Sequence, residues 1–244
     1  MSNFTNLAKK TFIYNRKTVL LTLGAILLGS VIFGTAIGLL GRGGGTGEVV
    51  CYGIMALLVA TATASMAFGD FKTKAGKIDT LMTPATAFEK FAVRWIAVVP
   101  MLALLLVAGF YVADLSRIIA NGFSEFYVAA PAYHRIVNVY DVVTQYFPDH
   151  KGMTVASLLI YYFFWQSLYL LGGILWPKLS FIKTFAIIRL ANLVFLPLAN
   201  KLDIFFTPGS ITIPNFFTGL DVLMAVLTVG VYWLTYYLMK RKTL

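Results

Sequence analysis

The stretch "VVCYGIMALLVATATASMAFGDFKTKAGKIDTLMTPATAFEKFAVRW", residues 49–95, joins a long apolar run to a markedly polar segment. The apolar run covers residues 49–68, and about 20 mainly apolar residues in a helix cross the hydrocarbon core of a bilayer. The remaining part carries four lysines, one arginine and three acidic residues, and another apolar run follows it. The polar segment is therefore either a solvated loop whose lysines set the topology or a surface that binds a partner.

The composition of the whole chain indicates an integral membrane protein. The chain has 244 residues, of which 59% are hydrophobic and 12% are charged, against about 25% charged residues in soluble proteins. A mean hydropathy of +0.80 agrees with this difference. A soluble domain of this length could not cover so much apolar surface.

The net charge of +10 has a simple explanation in a membrane protein, because basic residues accumulate in cytoplasmic loops. No basic stripe with interleaved aromatic residues is visible, so we expect no nucleic-acid partner. Cys51 is the single cysteine, which excludes an intramolecular disulfide and a CxxC metal motif.

Six apolar windows are long enough to span a membrane as helices. They cover residues 18–40, 48–69, 91–113, 153–176, 183–200 and 219–239. The first is longer than the roughly 7–15-residue core of a signal peptide, so we expect it to be retained. No repeat or linker divides the chain, which predicts one all-α transmembrane domain over residues 1–244.

The distribution of lysine and arginine predicts the orientation of these spans. With the N-terminus inside, cytoplasmic segments hold fourteen basic residues and outer segments hold five. Both termini and the loop at 70–90 are therefore predicted to be cytoplasmic. Residues 1–17 alternate apolar side chains with lysine and arginine, which is typical of an amphipathic helix on the inner leaflet.

The second half of the polar segment has the features of a helix start. Thr86 and Glu89 have the spacing of a capping box, and Pro84 suits a turn or a first helical position. We expect Gly76 to break the chain upstream. The pattern predicts a short helix at the membrane face before the third span.

The polar segment resembles a loop of the permease subunit of ABC-2-type exporters, most closely the compact permeases of Bacteroidetes-type bacteria. In those permeases the loop reads approximately F-x-D, then lysines, then LM-x-P-A-[ST]-x-x-E-K-F-x-x-R. The matching residues here are Phe68, Asp70, Lys74, Lys77, Leu81, Met82, Pro84, Ala85, Thr86, Glu89, Lys90, Phe91 and Arg94. The resemblance implies a transport subunit of the bacterial inner membrane rather than an enzyme.

The resemblance also implies partners. Two permeases, either two copies of this chain or this chain and a homologue, would face each other in the lipid bilayer. Each would dock on one of two separate ATPase subunits through a coupling helix within 70–90. The residues implied in this coupling are Asp70, Lys74, Lys77, Leu81, Met82, Pro84, Thr86, Phe88, Glu89 and Lys90. Exposed ion pairs contribute only about 0–1 kcal/mol, so we expect Leu81, Met82 and Phe88 to dominate the docking.

The resemblance places the substrate route between the second and fifth spans, and the candidate pathway residues are Thr61, Met66, Gln166, Arg189 and Asn192. Arg189 is the only charged residue well inside a predicted span, and charges inside a membrane are costly. Its side chain either reaches back to the inner interface or lines the inward-facing cavity. The sequence does not indicate which substrate is carried.

Nucleotide and metal chemistry are not expected on this chain. It contains no G-x-x-x-x-G-K-[ST] motif, and the glycine-rich "GRGGGTG" at 41–47 lacks the Lys-Ser/Thr pair. ATP and magnesium are therefore expected on the partner subunits. His134 and His150 are sixteen residues apart without a supporting motif, so no metal site is predicted.

Two other functions remain open, an ion-coupled secondary transporter and a non-transporting membrane scaffold. Ion-coupled carriers usually place a carboxylate in mid-membrane, whereas the acids near these spans fall at span ends. They are Glu48, Asp70, Asp114 and Asp221.

Small residues form stripes on the first two spans. Ser30, Gly34 and Gly38 recur every four residues on the first span, and Ala60 and Ala64 do so on the second. Such stripes allow helices to approach closely. They serve either helix packing within the protomer, or a contact surface for a second protomer or a substrate.

Two predicted outer segments are also notable. One has a helical pattern within 114–152, and the other is a proline-containing stretch at 201–217 that either re-enters the membrane or forms a loop.

Overall fold

The computed structural model describes residues 3–14, 16–39, 46–121, 153–201 and 213–243. Every regular element in those ranges is helical, which confirms the all-α prediction for them. The elements are α1 (Asn3–Tyr14), α2 (Arg16–Leu39), α3 (Thr46–Met66), a 3-10 turn (Gly69–Lys72), α4 (Lys74–Met82), α5 (Ala87–Val98), α6 (Pro100–Asn121), α7 (Met153–Leu175), α8 (Ser180–Lys201) and α9 (Ile213–Thr243).

Three helical stretches among the described residues are long and apolar enough to cross a membrane. They are Val19–Leu39, Ala87–Ala120 and Asp221–Lys242. Two shorter apolar helices, Cys51–Met66 and Leu159–Leu175, accompany them. The chain is thus a helical membrane protein. The number of crossings and the orientation of the termini stay predictions.

The third predicted span is built from α5 and α6, which continue one another around Pro100. Proline has no N–H and is well suited to the first position of a helix. The backbone nevertheless stays bonded across the junction, since the Val99 N–H donates to the Trp95 carbonyl at 2.8 Å and the Ala103 N–H to the Val99 carbonyl at 3.2 Å. The stretch Ala87–Ala120 therefore runs as 34 residues of helix.

This helix extends further than the window at 91–113 predicted, and the extension carries a buried ion pair. Arg117 has no exposed surface, and its Nε and Nη2 donate to Asp114 Oδ1 at 3.2 and 3.1 Å. A buried charge needs such a partner, because an unpaired one costs several kcal/mol. Arg117, which belongs to the predicted outer segment at 114–152, thus lies in a helix and is buried.

The helices form two compact units, Met1–Ala60 with Ala92–Lys151 and Thr61–Phe91 with Gly152–Leu244. In the first unit α2 packs along α6 through the small residues that the sequence singled out. A Cβ added to Gly34 would collide with the Ala113 carbonyl, and one added to Gly38 would lie 2.7 Å from the Ala120 Cβ. The stripe of the first span serves packing within the protomer.

The first unit also contains a mainly apolar groove of about 310 Å³. The Tyr52 hydroxyl lies in its wall and donates to the Leu106 carbonyl at 3.0 Å. The ring of Tyr52 packs edge-on against Phe110, with centroids 5.2 Å apart. Because the hydroxyl is engaged within the protein, the groove presents hydrocarbon surface.

In the second unit α7 packs against α8 and α9, and two glycines allow close contact. A Cβ on Gly172 would collide with Thr184, and a Cβ on Gly173 would lie 2.9 Å from the Ser65 carbonyl. The Ser180 hydroxyl donates to that same carbonyl at 2.7 Å. The end of α3 is therefore held directly before the polar segment begins.

Two predictions fall mostly outside the described residues. The helical pattern predicted within 114–152 concerns residues 122–152 beyond the end of α6, and the loop or re-entrant stretch at 201–217 concerns mainly residues 202–212. The two histidines, His134 and His150, also lie outside the described part of the chain.

Candidate functional site

The polar segment is a structured element that is anchored by two aromatic side chains. Phe68 and Phe71 flank the start of the 3-10 turn, are 1% and 3% exposed, and have ring centroids 6.2 Å apart. Burial of two phenylalanine side chains stabilises by about 1.5–3 kcal/mol each. The start of the polar segment is therefore folded rather than an irregular loop.

The short helix α4 follows the turn and is capped at both ends. The Gly76 N–H donates to Thr73 Oγ1 at 3.1 Å at its start. The Thr83 N–H and hydroxyl both donate to the Asp79 carbonyl, at 3.1 and 2.8 Å, at its end. A nine-residue helix is marginal by itself, and these bonds satisfy backbone groups that would otherwise lack partners.

The sequence predicted that Gly76 breaks the helix, and this prediction is wrong. Gly76 lies within the first turn of α4. A Cβ at this position would collide with the carbonyl of Asp70 in the preceding 3-10 turn. Glycine is used here because it lets two consecutive elements touch. Thr80, one turn later, is buried and donates to the Gly76 carbonyl at 2.9 Å.

The predicted capping box is confirmed, but it starts the long apolar helix Ala87–Ala120, whereas the predicted short helix before the third span corresponds to α4. The Thr86 N–H donates to Glu89 Oε2 at 2.8 Å, and the Glu89 N–H donates to Thr86 Oγ1 at 3.2 Å. Two N–H groups at the helix start are thereby satisfied reciprocally. Pro84 lies in the turn between α4 and α5, so both helices begin and end at defined residues.

The polar segment nevertheless exposes large apolar side chains. Ile78, Leu81 and Met82 are 56%, 51% and 79% exposed, and their spacing places them on one side of α4. We call these three residues the apolar face of α4. Phe88, at the start of α5, is 63% exposed. Sequence reasoning missed Ile78, although its spacing of three and four residues from Leu81 and Met82 indicates it.

The last helix supports the same region. The ring of Tyr236 on α9 meets Phe88 and Phe91 edge-on, with centroid distances of 6.1 and 5.7 Å. Near the end of α9, Lys242 donates a hydrogen bond to the carbonyl of Ile174, close to the end of α7. The start of α5 is therefore braced against a long helix.

The charged residues assigned to coupling are distributed unevenly. Asp70, Lys74 and Lys77 are exposed, and Glu89 is partly exposed within its capping box. Lys90 is only 9% exposed, so the structure does not present it to a partner. The charge of Lys77 lies near enough to Lys242 for the two to repel.

The structure separates the candidate pathway residues into two groups. Thr61 and Gln166 are buried, at 4% and 0% exposure, and contribute to packing within the second unit. Met66 is 63% exposed, and Arg189 and Asn192 are also exposed. Of these five residues, only the exposed three present side-chain surface outside the unit.

Arg189 is directed toward the start of α8. Its guanidinium carbon lies 5.1 Å from the ring centroid of Phe185, one turn earlier in the helix. Side chains on a helix lean toward its N-terminus, and the ring stabilises the cation in this direction. This geometry favours a side chain that reaches back to an interface.

We therefore expect Arg189→Lys to behave as the native protein, since lysine can also reach the interface. Arg189→Leu should reduce the amount of protein in the membrane without changing the activity per inserted molecule. The measurement is the membrane level and the specific activity of both variants. A well-expressed Leu variant without activity would favour the other prediction, that Arg189 lines an inward-facing cavity.

Comparison of the chain with models of protein families, with curated proteins and with solved structures found no match. The resemblance to ABC-2-type permeases therefore depends on the residues of the polar segment and on the helical pattern. Within the part of the chain that the structure describes, no group of three or more His, Cys, Asp or Glu residues could hold a metal ion.

Proposed function

We propose that the chain is the transmembrane permease subunit of an ABC-2-type exporter in the bacterial inner membrane. The observation that supports this proposal best is the apolar face of α4. A capped short helix, preceded and followed by apolar helices, exposes Ile78, Leu81 and Met82 although it carries several lysines. These properties suit a coupling helix that docks on a soluble subunit.

Energetics support docking through this face. Each large apolar side chain that leaves water stabilises a complex by about 1.5–3 kcal/mol when fully buried. Half or more of each of the three side chains is exposed before binding. The lysines around them would contribute mainly to orientation and to the rate of association. The partner in this proposal is an ATPase with an apolar groove.

A coupling element must also transmit force. The caps at Thr73 and Thr86, the buried Phe68 and Phe71, and the contacts of Tyr236 all restrain the segment. Movement imposed on α4 by a docked ATPase would thus pass to α3, which precedes it, and to α5, which follows it. This is the mechanical part of the proposal.

Six membrane crossings are part of the same proposal. The helices that contain the two shorter apolar stretches are α3, with 21 residues, and α7, with 23 residues. At 1.5 Å per residue they are about 32 and 34 Å long, close to the hydrocarbon thickness. The helix α8 has 22 residues and is also long enough to cross, about 33 Å at 1.5 Å per residue. Its charged residues Lys183 and Arg189 both lie in its first half, toward one end of the crossing.

The transport route is proposed to lie between two facing permeases. Met66, Arg189 and Asn192 are the residues that we assign to it, because they are accessible on the second unit. Thr61 and Gln166 are buried, and we assign them a supporting role in helix packing. ATP and magnesium would be bound by the partner ATPase.

Purification tests this assignment. We expect the chain, expressed with a candidate ATPase from a neighbouring reading frame and extracted in mild detergent, to form a complex of two permeases and two ATPase subunits. The mass of the complex and its ATP hydrolysis are the measurements. A permease that transports substrate without any ATPase would instead favour the ion-coupled transporter, and an inert lone chain would favour the scaffold.

A further inference from the structure

One side of α9 is exposed from Val222 to Arg241. Its exposed residues are Val222, Val226, Val229, Trp233, Tyr237 and Arg241, and we call them the exposed stripe of α9. The opposite side of the helix carries the buried residues Thr228, Thr235 and Met239. The stripe therefore faces away from the interior of the second unit.

The residue types along the stripe follow the layers of one membrane leaflet, from the hydrocarbon core through the interface to the headgroups. Aliphatic residues come first, then Trp233 and Tyr237, and finally a cation. Tryptophan and tyrosine favour the membrane interface, and basic residues favour the headgroup level. Asp221 and Lys240 are about 29 Å apart at 1.5 Å per residue, which matches the hydrocarbon thickness.

The end of the stripe is a stacked column of three side chains. The rings of Trp233 and Tyr237 are nearly parallel, at 14°, with centroids 5.9 Å apart. The guanidinium carbon of Arg241 lies 5.4 Å from the centroid of the Tyr237 ring. This contact holds the guanidinium group beside the ring, and the group carries five N–H donors in one plane.

Those donors are available, in contrast to those of a neighbouring cation. Lys242 donates to the carbonyl of Ile174. Among the residues that the structure describes, Arg241 contacts the Tyr237 ring and has no hydrogen-bond acceptor. A planar group with several unused donors matches the oxygen atoms of a phosphate.

We propose that Arg241, stacked on Tyr237, binds the phosphate of an anionic phospholipid whose acyl chain lies along the exposed stripe of α9. An anionic headgroup is favoured because Lys240, Arg241 and Lys242 are consecutive and Lys77 lies near Lys242. Basic clusters next to a membrane helix attract anionic lipids in this way. The inference depends only on α9 crossing the membrane and holds whether or not the chain couples to an ATPase.

The test uses the full-length protein in mild detergent, mixed with phosphatidylglycerol, with phosphatidylcholine, or with inorganic phosphate alone. Native mass spectrometry counts the molecules retained. We expect the native protein to retain phosphatidylglycerol preferentially and Arg241→Gln to lower that retention about fivefold, the effect of one cation at an anionic surface. Arg241→Lys should have an intermediate effect, because an ammonium group cannot form the paired hydrogen bonds of a guanidinium.

Lys178→Gln is the matched control, because it removes an exposed cation from the same unit at a position outside the column. It should retain the lipid. Equal retention by Arg241→Gln, or equal retention of the two lipids by the native protein, would overturn the proposal. Competition by inorganic phosphate at similar concentration would show a free-anion site. Loss of a co-purifying ATPase without loss of lipid would show a protein-binding site.

Discussion

If the proposed function is right, replacement of Leu81 or Met82 by aspartate should release the proposed ATPase partner while the chain still inserts into the membrane. Both side chains are more than half exposed in the free chain, so their replacement leaves the internal packing intact. In a docked complex each would be buried, and an aspartate would bring an unpaired charge into an apolar contact. We expect a loss of about 4 kcal/mol, or roughly a thousandfold in affinity.

Co-purification of the ATPase and the stimulated rate of ATP hydrolysis measure this effect. Ala75→Asp is the matched control, since it introduces the same charge at an exposed position near the start of α4. Lys74→Ala should also have little effect, because exposed ion pairs contribute only about 0–1 kcal/mol. If both aspartate variants keep the ATPase and full activity, the polar segment is not a coupling element and the proposed function is wrong.

Gly34→Leu should have the second large effect, on the stability of the first unit. A Cβ at Gly34 would already collide with the Ala113 carbonyl and with the Ser116 hydroxyl, and the rest of a leucine has no space. The helices α2 and α6 would have to separate along their contact. Overpacking of this kind costs about 3 kcal/mol at the upper end of the usual range.

Thermal unfolding of the purified protein in detergent measures this change. Gly24→Leu is the control on the same helix, because a Cβ at Gly24 meets no atom within 4 Å. That variant should unfold at the native temperature or slightly above it, since leucine favours the helix more than glycine by up to about 1 kcal/mol. Equal stability of the two variants would show that α2 and α6 do not pack as described.

The features that the sequence predicted well are those that depend on neighbouring residues. Apolar run length indicated where helices lie, because backbone groups in a bilayer must be bonded within the helix. The capping box of Thr86 and Glu89 also formed as predicted, since its bonds join residues only three positions apart. The stripe of Ser30, Gly34 and Gly38 indicated close packing, although not which helix it meets.

The features that the sequence missed depend on which face of a helix is covered. The spacing of Asp114 and Arg117 fits an ion pair one turn apart, but hydropathy placed both at or beyond the end of a span. Only the close packing of α2 on α6 shows that this turn is buried. The role of Gly76 was missed for a similar reason. Glycine occurs both at helix breaks and at close contacts, and only the nearby Asp70 carbonyl shows that Gly76 is at a close contact.

The sequence by itself determined that the chain is a helical membrane protein and that a polar segment with a capped helix interrupts its apolar runs. The tertiary structure decided which side chains of that segment remain accessible. It leaves Ile78, Leu81 and Met82 exposed and buries Lys90, although composition suggests the reverse. The physical reason is that burial in this segment depends on tertiary contacts. Phe68 and Phe71 are buried, and Tyr236 contacts Phe91 from a helix far along the chain, so hydropathy alone does not show which side chains stay exposed.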